Sequence, residues 1–273
     1  MSTGSSRRPV TIRRLLEMKE RGEKIVALTA YDALFARLVD EAGVDVVLVG
    51  DPLGQVVLGY DSTIPVTIEE MIHHARAVRR GVEHALLVVD MPFLTFQISP
   101  EETLRNCGRV MKETGAEAVK VEGGSARACE RVARTVEAGI PVMGHIGLTP
   151  QSVHALGGYR VQGRDEANAE RLRQEARGLA NAGAFAIVLE LLPAGLARQI
   201  TAASPVPTIG IGAGVDCDGQ VLVLPDMLGL NDAFTPKFLR RFAELARDTR
   251  RGLTEYVDAV RASAYPAAEH AHE

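Results

Sequence analysis

The chain has 273 residues, of which 46% are hydrophobic and 24% charged, a composition typical of a globular protein. Its 31 basic and 35 acidic residues are well mixed and leave a formal charge of −4, which argues against a nucleic-acid-binding surface. No apolar stretch approaches the roughly 20 residues that cross a bilayer, and no apolar run follows Arg7 and Arg8 as it would in a signal peptide.

Short apolar runs rich in β-branched residues alternate with helix-forming segments along the chain. A helix is predicted over 11–24, before the first run. The predicted strands are 25–29, 44–49, 85–89, 117–121, 140–146, 185–189, 206–211 and 220–224. Continuous apolar strands that are separated by helices are typical of a parallel sheet covered on its faces.

Capping motifs mark the ends of several helices. TIEE (67–70) predicts a capping box with Thr67 at the N-cap, and SPEE (99–102) places Pro100 at the first helical position. The amphipathic segment 34–43 stops at Gly43. Residues 234–262 predict one or two long helices near the carboxyl terminus.

Eight strands with one helix each, and no linker rich in Pro, Gly or Ser, predict a closed (β/α)₈ TIM barrel. We expect a single domain over 1–273 with an ordered core from about 10 to 263. The N-terminal helix is expected to cap the bottom of the barrel, and the C-terminal helices to follow the last strand. A doubly wound open sheet is the alternative.

Four predicted strands end on an acid, namely Asp51, Asp90, Glu122 and Glu190. In either parallel architecture, ligands bind at the carboxyl ends of the strands. Because side chains alternate along a strand, Lys120 lies just beneath Glu122 if Glu122 faces the barrel mouth. The simpler alternative is that each acid caps the next helix or pairs with a surface arginine.

The first three of these acids suggest a metal site. Carboxylates that converge in a half-buried cup raise one another's pKa, and a divalent cation with one lysine relieves this repulsion. Oxygen ligands without a cysteine or a histidine pair favour Mg²⁺ over Zn²⁺. Apolar residues crowd the fourth acid, Glu190, and a carboxylate in apolar surroundings is the stronger general base.

Two further features near strand ends have a structural and a functional interpretation. His145 is either a packed, hydrogen-bonded side chain or a substrate contact. The glycines of VEGG (121–124) and IGIGAG (209–214) either form tight turns or let the backbone approach a ligand, which for the second motif includes a phosphate.

Nine stretches between about 24 and 262 form a long set of motifs in fixed order. They are LTAYD (28–32), LVGDPLG (48–54), YDSTIPVT (60–67), VDMPF (89–93), VKVEGG (119–124), GHIGLTPQSVHALGGYRVQGR (144–164), VLELLP (188–193), IGIGAG (209–214) and DGQVLVLPDMLG (218–229). Through these motifs nearly the whole chain resembles the ketopantoate hydroxymethyltransferase family, and so long a set is highly specific.

The resemblance implies a (β/α)₈ barrel that transfers a hydroxymethyl group from 5,10-methylenetetrahydrofolate to 3-methyl-2-oxobutanoate. The product would be ketopantoate, in pantothenate and coenzyme A biosynthesis. The family's usual assembly implies a homodecamer, a pentamer of dimers, with no nucleic-acid or membrane partner.

Individual site residues follow from the matching motifs. The resemblance implies one Mg²⁺ per subunit at Asp51, Asp90 and Glu122, and Glu190 as the proton acceptor. Substrate contacts are expected from Asp51, Pro52, Asp90, Lys120 and His145.

Two residues depart from the family's motifs. Pro52 stands where the family usually has serine, so a hydroxyl and a backbone N–H are missing, and Pro225 stands where many relatives have histidine. These departures leave open an altered substrate preference or a catalytically weakened metabolite-binding paralogue.

The cysteines bear on the compartment and on the remaining alternative. Cys107, Cys129 and Cys217 are widely spaced and form neither a disulfide framework nor a CxxC metal site, which predicts a cytoplasmic protein. A related Mg²⁺-dependent barrel lyase or mutase acting on oxo acids is the runner-up. It would need a catalytic cysteine in a loop, and none of the three follows a strand in a suitable acidic and glycine context.

Overall fold

The computed structural model describes residues 7–272 and divides the chain into two compact units, 1–223 and 224–273. Residues 1–6 and 273 lie outside the described part, and with them the N-terminal start considered for a signal peptide and the extreme ends of the predicted single domain. No helix among the described residues has the length and apolarity needed to span a membrane.

Eight parallel strands in the first unit form a closed barrel in sequence order, and β1 pairs with β8 to complete it. This confirms the predicted TIM barrel and excludes the open sheet. The strands are β1 (Ile25–Thr29), β2 (Val46–Val49), β3 (Leu86–Asp90), β4 (Ala118–Glu122), β5 (Val142–Gly147), β6 (Ala186–Glu190), β7 (Thr208–Ile211) and β8 (Gly219–Leu222).

The helices of the first unit follow the predicted pattern, and the predicted capping box at Thr67 is present. Pro100 is the first residue of its helix, as predicted. These helices are α1 (Ile12–Arg21), α2 (Ala33–Glu41), α3 (Leu53–Val56), α4 (Ile68–Arg79), α5 (Pro100–Thr114), α6 (Ala126–Glu137), α7 (Glu166–Asn181) and α8 (Ala194–Ala203). The second unit contains α9 (Leu224–Met227) and α10 (Leu245–Arg261).

Two parts of the helix prediction are wrong. No helix joins β7 to β8, because Gly212 and Gly214 take positive φ angles of 64° and 89° and turn the chain tightly. The turn interpretation of IGIGAG therefore describes the local structure. In the second unit the long helix begins only at Leu245, and residues 234–244 form turns and irregular chain, so the predicted start at 234 is too early.

The barrel interior is apolar below its upper layer. Alternate residues of each strand point inward, and they bury Val46 and Leu48 of β2 and Leu86 and Val88 of β3 in one cluster. At roughly 25 cal/mol per Å² of buried apolar surface, this packing is a main source of stability. It also fixes the register of each strand, because a slip of one residue would turn the apolar face outward.

Asp40, at the end of α2, fastens that helix to the chain that enters β3. Its buried carboxylate accepts backbone hydrogen bonds from Glu83 at 3.2 Å, His84 at 3.1 Å and Ala85 at 2.7 Å. Burial raises the pKa of Asp40, but these hydrogen bonds and one from the His84 side chain outweigh it and lower the pKa.

We predict that Asp40→Ala lowers the free energy of unfolding by about 3 kcal/mol, because three backbone donors lose a charged acceptor. Because the pKa of Asp40 is lower in the folded chain, its ionised carboxylate stabilises the fold fully at pH values above its unfolded-state pKa of about 4. This stabilisation is lost as the pH falls through the folded-state pKa. Denaturant unfolding at pH 7 and at about pH 3 measures both effects. The control is Glu41→Ala, an exposed neighbour expected to stay within about 0.5 kcal/mol. Equal stability of the two variants at pH 7 would contradict the assignment.

Candidate active site

The strands carry their charged residues in one layer at the mouth of the barrel. On β4, Ala118, Lys120 and Glu122 share the inward face, with the apolar residue deepest. Register places Asp90 of β3 beside Lys120, and Glu122 beside His145 of β5. The pairing of neighbouring strands therefore brings these side chains together, although they lie far apart in sequence.

A cavity of about 50 Å³ lies at this mouth within the first unit. All seven candidate residues predicted from the sequence contribute to its lining, together with apolar residues of the upper barrel. The seven are Asp51, Pro52, Asp90, Lys120, Glu122, His145 and Glu190.

Lys120 is the buried cation of the site. Its Nζ lies 2.7 Å from Asp90 Oδ1, and the second oxygen of Asp90 accepts the backbone N–H of Asp51 at 3.1 Å. Burial lowers the pKa of Lys120, but the charges of Asp90, Glu122 and Asp51 outweigh it and raise the pKa. Lys120 is therefore protonated and offsets part of the negative charge.

The pKa of Asp51 is also raised, but for a carboxyl group this disfavours the charged form. Burial and the charges of Asp90 and Glu122 raise its pKa well above the usual range, although Lys120 and a hydrogen bond from Gln151 act against this. The site thus buries three carboxyl groups around one lysine, and their mutual repulsion favours either a proton on Asp51 or a bound cation.

Gln151, in a 3₁₀ turn after β5, is a site residue that the sequence analysis missed. It is buried, and its Nε2 donates to Asp51 Oδ2 at 2.8 Å and to the carbonyl of Met91 at 2.9 Å. Its backbone N–H donates to Glu122 Oε2 at 3.1 Å, and its Oε1 accepts from Gln97 at 3.0 Å. Gln151 holds two carboxylates in place, and only its position within the quoted GHIGLTPQS stretch could have indicated it.

His145 lies between two carboxylates. Its Nδ1 is 3.5 Å from Glu122 Oε1, and its Nε2 is 3.3 Å from Glu190 Oε2. Burial and the charge of Lys120 lower the pKa of His145, but the carboxylates of Glu122 and Glu190 outweigh them and raise it to about 9. The imidazole is therefore charged at neutral pH and links the acid of β4 to that of β6.

Glu190 is more exposed than the sequence suggested. Its side chain is 17% exposed, against 4% for Glu122, so the expectation that it is the most crowded acid is wrong. Apolar neighbours in the sequence point away from it, because side chains alternate along β6. Gly147 beside it must be glycine, since a Cβ there would lie 2.1 Å from the carbonyl oxygen of Glu190.

The carboxylates do not form a ready-made metal cage. Among residues 7–272, no group of three or more His, Cys, Asp or Glu side chains is arranged to hold a metal ion by itself. Lys120 contacts Asp90, and Gln151 contacts Asp51 and Glu122, so protein groups occupy part of the space between the acids.

The sequence profile of the ketopantoate hydroxymethyltransferase family matches residues 9–268. The chain belongs to this family. The 3-methyl-2-oxobutanoate hydroxymethyltransferase of Moorella thermoacetica is 57% identical over 266 residues, which cover 97% of this chain and 98% of that protein. The protein of the same name from Carboxydothermus hydrogenoformans is 56% identical over 261 residues, with 96% and 94% covered.

The fold of this ketopantoate hydroxymethyltransferase family member is also found in more distant proteins. A phosphoenolpyruvate phosphomutase from Streptomyces platensis subsp. rosaceus superposes with a TM-score of 0.65 at 14% identity. The alignment covers 96% of this chain and 92% of that one, and at this identity it shows a shared barrel alone.

The two prolines that depart from the family's motifs lie in different units. Pro52 lines the mouth cavity and precedes α3, where its fixed φ of −55° suits the start of a helix. Pro225 lies in α9 of the second unit. Nothing in the structure explains why it replaces histidine.

We predict that Lys120→Met lowers the free energy of unfolding by about 3–5 kcal/mol in EDTA, because it leaves buried carboxylates without their cation. Adding Asp90→Asn should restore part of this loss, since the remaining negative charge falls by one. Denaturant titrations of the two single variants and the double variant measure the coupling. Lys112→Met, on an exposed face of α5, is the matched control. Additive losses in the double variant would contradict the coupling.

Proposed function

We propose that this chain transfers a hydroxymethyl group from 5,10-methylenetetrahydrofolate to 3-methyl-2-oxobutanoate, giving ketopantoate and tetrahydrofolate. The donor supplies the carbon, and water supplies the hydroxyl group and the proton that restores tetrahydrofolate. The observation that carries this proposal is the cavity that unites Lys120, Glu190 and three further carboxylates, in a member of the ketopantoate hydroxymethyltransferase family. The relatives' printed name supplies the acceptor and the transferred group.

We propose Asp51, Asp90 and Glu122 as the residues that hold one Mg²⁺. Their oxygens are the ligand type that Mg²⁺ prefers, and the buried Glu122 Oε1 lies 3.5 Å from His145 Nδ1, too far for a well-formed hydrogen bond. Mg²⁺ keeps several waters and needs only one or two direct carboxylates, so a closed three-residue cage is not required. When bound, the metal would polarise the keto oxygen of the oxo acid as a Lewis acid.

The protein groups have complementary tasks in this mechanism. Lys120 offers a fixed positive charge to the carboxylate end of the oxo acid, and Asp90 holds its ammonium group in position. Glu190 takes the proton from C3 of the oxo acid, which leaves that carbon nucleophilic toward the one-carbon unit of the donor. His145 contacts Glu190 Oε2 at 3.3 Å and orients this carboxylate.

We also propose that the chain assembles with copies of itself, as the family resemblance implies for a decamer. Val26 of β1 is 48% exposed, although strands of a single barrel are normally covered by helices. In the second unit, α10 exposes an apolar stripe at Leu253, Tyr256, Val257 and Val260. Such surfaces favour burial against another copy. Sedimentation of the purified chain tests this, and a monomer would overturn it.

The experiment that tests the proposed activity is NMR of the protein with both substrates, first with Mg²⁺ and then with excess EDTA. We expect ketopantoate with Mg²⁺ and none with EDTA. Product in EDTA would overturn the metal proposal. No product in either condition, beside an active Moorella thermoacetica relative, would overturn the transferase proposal. Oxo-acid binding without turnover would instead favour the metabolite-binding alternative.

We predict that Glu190→Gln reduces turnover by about 10²–10⁴-fold, the usual contribution of a positioned general base. Exchange of the C3 proton of the oxo acid in D₂O should fall equally, whereas oxo-acid binding should be retained. NMR follows both rates in one sample. Glu130→Gln, which removes an exposed carboxylate from α6, should leave them unchanged. Turnover within a few-fold of the unmodified chain would remove Glu190 from this role.

A further inference from the structure

A second cavity, of about 490 Å³, lies in the loop between β5 and α7. The described residues that line it all belong to the 159–168 segment, and most of them are polar. Its volume falls in the range of roughly 300–1,000 Å³ that is typical of small-molecule sites. The proposed mechanism does not use it.

The charged side chains of this cavity are unequally engaged. Arg160 and Arg164 are exposed, and within residues 7–272 neither guanidinium makes an ion pair or a hydrogen bond to a side chain. The carboxylate of Asp165, in contrast, accepts from the backbone and side chain of Asn168 at 2.9 and 2.6 Å. The cavity therefore presents two available cations and one acid that already caps α7.

The next arginines along α7 differ from these two. Arg171 pairs with Glu175 at 2.6 Å, and Arg173 pairs with Glu166 at 2.9 Å. These arginines of α7 are therefore neutralised by glutamates of the same helix. Arg160 and Arg164, which precede the helix, have no such partner among the described residues and are available to bind an anion from solution. Arginine suits carboxylate anions because its fork of donors matches the two oxygens.

The loop is held directly beside the reaction cavity. The backbone N–H of Gln162 donates to the carbonyl of Leu191 at 2.9 Å, and Leu191 follows Glu190 in the chain. Gly163 has φ of 77° and approaches α8 so closely that a Cβ would lie 2.5 Å from a methyl group of Leu196. A ligand in the loop cavity is thus within reach of the proposed proton acceptor.

Tyr159 connects the two cavities electrostatically. Burial raises the pKa of its phenol, a hydrogen bond with Gln55 lowers it, and the charges of Glu190, Asp51 and Glu122 raise it again. Its exposed aromatic face is a suitable stacking surface for a planar ligand group.

We propose that the loop cavity binds the acidic tail of the folate donor, with Arg160 and Arg164 pairing with the carboxylates of its glutamyl group. In this proposal the pterin end lies toward Glu190, and Tyr159 contacts the aromatic middle of the molecule. Naming the donor rests on the proposed function. The anion preference of the cavity rests on its own residues.

The test is calorimetric binding of two probes, tetrahydrofolate and a tetrahydropterin that lacks the aminobenzoyl-glutamate tail. We expect Arg160→Gln combined with Arg164→Gln to weaken tetrahydrofolate binding by about tenfold, the combined effect of two exposed ion pairs. Tetrahydropterin binding should not change. The same double variant should raise KM for the donor while leaving kcat and C3 proton exchange unaltered. Arg198→Gln is the matched control, because this arginine on α8 is exposed and has no ion pair with any residue of 7–272.

Two outcomes would overturn this inference. One is tetrahydrofolate binding to the double variant within twofold of the unmodified chain. The other is equal weakening of both probes, which would indicate general damage to the loop. The binding assay needs no turnover, so it separates the two proposals. If the unmodified chain has no transferase activity, but the double variant still loses the binding that depends on the tail, the proposed function is overturned and the anion site is retained.

Discussion

The concentration of negative charge at the barrel mouth is the constraint on which the rest of the site depends. Asp51, Asp90 and Glu122 are buried close together, and both desolvation and the charges of the other two oppose the ionisation of Asp51. The fold answers with Lys120 on one side and the donors of Gln151 on the other. His145 adds a second positive charge between Glu122 and Glu190. Partial neutralisation of this kind leaves room for a cation without making the apo site untenable.

The barrel supplies the rigidity that such a cluster requires. Each of the charged residues on β3, β4, β5 and β6 stands above inward-facing apolar residues that fill the barrel below. Because the closed sheet fixes the register between neighbouring strands, Asp90 and Lys120 meet without depending on a flexible loop. Residues in the loops after the strands, such as Gln151, then adjust the environment of the fixed acids. This division is common in barrel enzymes, where the core gives stability and the loops give specificity.

The two cavities suggest a separation of tasks along the mouth of the barrel. The smaller cavity holds the groups suited to removing the C3 proton of an oxo acid, and the larger cavity has arginines suited to binding the acidic tail of the donor. The two cavities are connected by the hydrogen bond that the backbone N–H of Gln162 donates to the carbonyl of Leu191, the residue after Glu190. In such an arrangement the donor is recognised largely away from the reacting carbon, so affinity for the donor and the rate of proton removal can vary independently.

The sequence by itself determined the barrel, since eight apolar strands alternating with helices have few other ways to bury their surfaces. It also indicated the strand-end residues, because the carboxyl ends of parallel strands all lie at the same end of the barrel. Only the tertiary structure decided which partners neutralise these acids. Gln151 and the pairing of His145 with two acids depend on contacts between separate loops and strands, for which no local sequence pattern exists. The same holds for the exposure of Glu190, since packing around the end of β6, and not its own residues alone, sets it.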